Sequence, residues 1–121
     1  MFAHDMHLLL AALTALTVVA ATADGAVRAI TARPAGIAAE RTRDAALLAV
    51  AATAASGVAL LVTGHRPLEW LHMVYTALAV GLVPVADNAG AALRSDRARA
   101  LARVGGGLVC LVVIARLFQT G

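Results

Sequence analysis

Four histidines occur in the chain, His4, His7, His65 and His72. Asp5, Arg66 and Glu69 lie beside them, and Arg116 lies near the other end of the sequence. Imidazole titrates close to neutral pH and is the commonest metal-binding side chain. Two neutral imidazoles from separate helices supply the axial pair of a b-type haem. Several on one site suit copper or zinc. Glu69 and His72 are three residues apart, a spacing that puts neighbours on one helical face. The pair resembles half of a carboxylate di-metal motif, but that motif needs two such pairs and more acids than Asp5 and Glu69 provide. A guanidinium pairs with carboxylates through charge-assisted hydrogen bonds, and Arg66 and Arg116 are the cations available for propionates. Arg116 interrupts the apolar run Leu111–Phe118. An intramembrane charge marks a functional site by default, with snorkelling to the interface as the plain alternative.

The elements that must position these residues follow from composition. The chain has 121 residues, 61% hydrophobic and 14% charged, with a mean hydropathy of +0.84. A soluble domain is about half apolar and about a quarter charged. Four apolar segments, at approximately 6–24, 44–63, 68–87 and 98–119, each approach the length needed to cross a bilayer. Only helices or closed barrels cross lipid, and this chain is too short and too continuously apolar for a barrel. The expected fold is all-α: an integral membrane antiparallel four-helix bundle forming a single domain over residues 1–121. Residues 8–23 have the apolar core of a signal peptide, but Asp5 stands where a basic segment belongs, so the stretch reads as span 1. Pro67 suits the first position of helix 3, and Pro84 suits a kink. Cys110, the one cysteine, reads as a buried apolar residue.

Arginine counting gives an orientation. Arg28, Arg33, Arg41 and Arg43 surround the first connection, and Arg94, Arg97, Arg99 and Arg103 the third. Only Arg66 and Arg116 fall on the opposite side. An alanine- and arginine-rich composition without lysine reads as bacterial, and the positive-inside rule places the arginine-rich end on the cytoplasmic side of the plasma membrane, with both termini and all four histidines outside. Asp24 and Asp87 close spans 1 and 3 on the inner side. They are expected to pair with nearby arginines, Asp24 with Arg28 at the favourable i,i+4 spacing. The basic balance sets topology and not nucleic-acid binding, because no aromatic residues interleave with the arginines.

The two halves look alike. His7-Leu-Leu-Leu-Ala-Ala-Leu opens span 1 and His72-Met-Val-Tyr-Thr-Ala-Leu opens span 3. Asp24 and Asp87 follow these spans, and Thr-Gly follows spans 2 and 4. Two parallel hairpin repeats would relate His7 to His72 about an axis along the membrane normal.

Gly57, Gly64, Arg66-Pro67 and Leu71-His72-Met73-Val74-Tyr75 resemble the pattern of small four-helix membrane b-type cytochromes, such as one half of haem A synthase. The resemblance covers the four-span layout and the paired outer histidines. It implies haem b between helices 1 and 3, with His7 and His72 as ligands and Arg66 and Arg116 at the propionates. It also implies electron transfer or haem handling near the outer face, with a quinol or a respiratory-chain protein as partner. Two alternatives stand beside it. One is a cofactor-free structural or assembly subunit, in homo- or hetero-oligomeric contact through its small-residue faces. The other is a copper or zinc site from His4, His7, His65, His72 and Glu69. No mid-span glutamate serves a small multidrug transporter, and no nucleophile–base pair marks an enzyme.

Overall fold

A computed structural model describes residues 2–65 and 69–120, with side chains from residue 4 onward. The described residues form four helices: α1 (Phe2–Thr31), α2 (Ile37–Val62), α3 (Leu71–Ala91) and α4 (Asp96–Thr120). Each is long and apolar enough to cross a membrane. The protein is a multi-pass membrane four-helix bundle of the expected all-α class.

The helices pack in ring order α1–α2–α3–α4. Contacts between α3 and α4, α1 and α2, and α1 and α4 are extensive; those between α2 and α3 are sparse. Among the described residues the backbones of α1 and α3 do not approach each other, so these two helices stand diagonally across the bundle.

The interior is built from small side chains. Val18, Ala46, Val50, Cys110 and Ile114 form the buried cluster, and most large apolar residues point outward, Leu9, Leu16, Leu48 and Val112 among them. Lipid tails are as apolar as leucine, so burying leucine between helices gains little. Close backbone approach and hydrogen bonding must hold the bundle instead. Gly107 of α4 lies against Thr22 of α1, and Gly106 against Ala86 of α3, with no room for a Cβ at either. Threonine hydroxyls inside the bundle bond back to carbonyls one turn earlier, as Thr22 does to Val18 and Thr76 to His72.

The helix ends differ from the sequence expectation. Helix α1 continues past Asp24-Gly25 to Thr31. The Asp24 carboxylate is neutralised by Arg28, at 2.8 Å, and Gly25 is buried where an added Cβ would lie 3.2 Å from Val104. Gly25 is thus a packing glycine and not a helix stop. Arg28, Arg41, Arg43, Arg97, Arg99 and Arg103 consequently sit on helices; only Arg33 and Arg94 lie in the short connections. Helix α3 begins at Leu71 and runs through Pro84, and the proposed helix start at Pro67 lies outside the described residues.

Two neighbouring glycines separate helix propensity from packing. Gly105 has open space where a Cβ would go. Gly105→Ala should leave thermal stability in detergent unchanged or raise it, by up to about 1 kcal/mol. Gly106→Ala should lower it by about 1–3 kcal/mol, because the methyl group forces α3 and α4 apart.

Candidate functional site

The four histidines converge on one cavity. It has a volume of about 260 Å³ and is lined by all four helices near the end where the chain begins and ends. His4 and His7 reach it from α1, His72 from α3, and His65 from the turn after α2. Leu117 and Phe118 line it from the end of α4, so both chain ends belong to the histidine end of the bundle. The walls are otherwise mainly aliphatic, with Thr14, Thr53 and Thr76 as polar exceptions.

His7 is held from two sides. Its Nδ1 is 2.8 Å from the Ser56 hydroxyl on α2. Gly57, the next residue, leaves the ring its space: an added Cβ would lie 3.3 Å from His7 Cε1. Deeper in the bundle, Thr14 and Thr53 join the same two helices through a hydroxyl–hydroxyl bond of 2.7 Å. Ser56 also donates to the Thr53 carbonyl, which fixes its hydroxyl for use as a partner to the ring.

His72 sits against α4. Its Nδ1 is 3.4 Å from the Thr120 hydroxyl, a long contact by hydrogen-bond standards. The Thr120 hydroxyl donates to the Arg116 carbonyl at 3.1 Å. Each hairpin therefore seats its own histidine with a hydroxyl from its second helix. His4 shares α1 with His7, and His72 stands on α3, across the diagonal of the bundle.

His65 owes its position to the end of α2. The His65 N–H donates to the Leu60 carbonyl at 2.9 Å and the Gly64 N–H to Leu61 at 3.1 Å, with Gly64 at φ +90. This is the paired bonding of a Schellman helix end, and it needs a left-handed residue, for which glycine carries no Cβ penalty. The reversal returns His65 to the cavity rim, where Nδ1 meets the Thr63 hydroxyl at 3.3 Å.

Two expected site residues, Glu69 and Arg116, stand elsewhere. Glu69 precedes α3, its carbonyl accepts the His72 N–H at 3.1 Å, and its exposed carboxylate does not line the cavity. Glu69 and His72 thus share no helical face, because the helix starts later than the sequence implied. Arg116 is exposed and donates to Gln119 Oε1 at 3.0 Å. Arg66 lies outside the described residues. Among the described residues, no group of three or more His, Cys, Asp or Glu side chains is gathered to hold a metal ion. The histidines share a cavity but do not form a compact bare-metal cage.

Sequence reasoning missed Ser56, Thr53 and Thr120. In helices so rich in alanine and threonine, nothing marks which hydroxyl faces a histidine. The signal available in hindsight is spacing: Thr53, Ser56 and Leu60 sit three and four residues apart on one stripe of α2.

No protein-family model matches the sequence, and comparisons with curated proteins and with solved structures likewise find no match. The geometry itself must carry the functional reading.

Ser56 is the residue to test for control of the His7 ring. In Ser56→Ala, His7 loses its hydroxyl partner, and solid-state ¹⁵N spectra should show a mixture of imidazole tautomers in place of one. Ser56→Thr should retain the wild-type spectrum. Thermal stability should fall by about 1 kcal/mol in the alanine variant.

Proposed function

We propose that the histidine cavity holds a b-type haem, with His7 and His72 as its two axial ligands, and that the protein carries single electrons. The observation behind this reading is that two imidazoles from diagonal helices face one apolar cavity, each with Nδ1 beside a hydroxyl. A ligand histidine whose other ring nitrogen is held by a hydrogen bond has a defined tautomer and ring orientation. Ser56 and Thr120 would fill that role, presenting Nε2 toward the cavity.

The donor set fits a haem. The room does not yet fit one, and the cavity must widen to admit the macrocycle. A volume of about 260 Å³ is just under the ~300–1,000 Å³ usual for small-molecule sites. The sparse α2–α3 seam borders the cavity and is where widening disrupts the fewest contacts. Arg116, exposed at the same end with no ion-pair partner among the described residues, is within the sequence's means to meet a propionate at the rim.

A haem iron with two protein ligands has no open position, and the chemistry it supplies is one-electron transfer. The chain's own part is to fix the imidazoles, exclude water with aliphatic walls and keep the four histidines at one membrane face. A quinol or a respiratory-chain protein is the corresponding electron partner. By the arginine distribution this face is the outer one, in a bacterial plasma membrane, with both termini outside.

Two measurements check the proposal. Protein expressed with haem supplied and purified in detergent should give a reversible reduced-minus-oxidised haem b spectrum. His72→Ala and His7→Ala should each abolish or strongly alter it, and His65→Ala should leave it intact. A folded, colourless wild-type protein would sink the haem reading. For orientation, Cys110 is fully buried, so single cysteines introduced at Arg33 and Gln119 can be labelled selectively. In intact cells a membrane-impermeant maleimide should modify the cysteine at 119 and spare the one at 33.

A further inference from the structure

The opposite end of the bundle holds a second, smaller cavity of about 50 Å³. Arg28 of α1, Arg43 of α2 and Arg103 of α4 all line it, together with Asp87 of α3 and Thr22. Asp87 is shared: Arg43 Nε donates to Oδ2, and Arg103 Nε donates to Oδ1 at 3.1 Å. Arg28 is only 9% exposed and is satisfied by Asp24, at 2.9 Å from Nε and 2.8 Å from Nη2. Asp24 itself does not line the cavity. Asp44 stands 3.5 Å from Arg43 Nη1, but its side chain is 62% exposed and also outside the cavity, where water screens it.

The cavity wall therefore carries three guanidinium groups and one carboxylate. The whole end is unbalanced in the same sense. Eight arginines gather there against Asp24, Glu40, Asp44, Asp87 and Asp96, so the chain's entire net charge of +3 belongs to this end. Arg28 is neutralised by Asp24, but Arg43 and Arg103 share the single Asp87 carboxylate, and the one positive charge left in excess in a part-buried site at a membrane boundary calls for an anion. The guanidinium nitrogens not used by Asp24 and Asp87 are fork donors matched to phosphate oxygens. A single water needs about 10–15 Å³ of such space, so the cavity admits a group of a few heavy atoms and excludes a nucleotide.

We propose that the cavity between Arg28, Arg43 and Arg103 binds a phosphate group, carried by an anionic lipid headgroup or present as free phosphate. Basic pockets between membrane helices on the arginine-rich side recognise headgroups by this chemistry. The site is separate from the histidine cavity, and its occupancy does not depend on what that cavity holds.

The test is a titration of the purified full chain in non-ionic detergent, read by thermal unfolding and native mass spectrometry. Short-chain phosphatidylglycerol, short-chain phosphatidylcholine and inorganic phosphate are compared at constant ionic strength. A saturable stabilisation with one bound molecule is expected from phosphatidylglycerol or from phosphate. Response to the lipid alone assigns a headgroup; response to phosphate as well assigns the free anion. Arg103→Gln should weaken that binding about tenfold or more, the loss of a charge-assisted contact. Arg97→Gln, which removes an exposed arginine from the same end outside the cavity, should not change it. Asp87→Asn should tighten binding, since it removes the one competing carboxylate. No saturable response in the wild type, an equal response to phosphatidylcholine, or equal weakening by Arg97→Gln and Arg103→Gln would overturn the proposal. Weaker binding in a folded Asp87→Asn protein would overturn it too.

Discussion

Water is absent from the middle of a bilayer, and every other feature of this bundle answers to that constraint. Helices satisfy their own backbone groups, so the chain is helical almost throughout its described length. The hydrophobic effect no longer distinguishes a buried leucine from one facing lipid. The result is an outward display of most leucines and many valines around an interior where alanine, glycine and threonine accompany a few β-branched residues, Val18, Val50 and Ile114 among them. The helices that touch most closely do so where glycine removes a side chain, at Gly106 and Gly107, or where hydroxyls meet, at Thr14 and Thr53.

Polar interactions in this setting carry position more than stability. Interhelical hydrogen bonds in membranes contribute only about 0.6 kcal/mol on average. The Thr14–Thr53 and His7–Ser56 bonds together fix the rotation of α2 about its own axis relative to α1. In a helix apolar on all sides, such bonds add to the packing of the small stripe Ala39, Ala46 and Val50 in choosing one rotation. His7 is therefore aimed by α2, and His72 by the end of α4.

The number of helices and the gathering of the histidines at one end were legible in the sequence. They follow from hydropathy, connection length and charge, which do not depend on helix rotation. Asp24–Arg28 was legible because its spacing alone sets the geometry. Ser56 and Thr120 were not legible, because rotation decides which residue faces a neighbour and these helices are apolar on all sides. Glu69 was misplaced for a related reason. Its pairing with His72 assumed a helix beginning at Pro67, and the actual start at Leu71 removes the shared face. Gly25, one residue past the expected end of span 1, is a contact surface inside α1, as small residues in membrane helices commonly are.

The two ends of the bundle are held by different means, and the α2–α3 seam shows the consequence. At the arginine end the seam is bridged by Arg43 and Asp87, with Arg103 adding α4 to the same carboxylate. Breaking a buried pair leaves an uncompensated charge, which costs far more than a lost apolar contact. At the histidine end no ion pair among the described residues crosses from α2 to α3, and there the large cavity lies between them. The sparse contact between these helices is thus not spread evenly along their length in its effect. An ionic clasp fixes one end, and the other is free to take up volume. A bundle closed largely by small residues has little side-chain bulk with which to seal such a gap, and the cavity beside the histidines lies where no ion pair among the described residues draws α2 and α3 together.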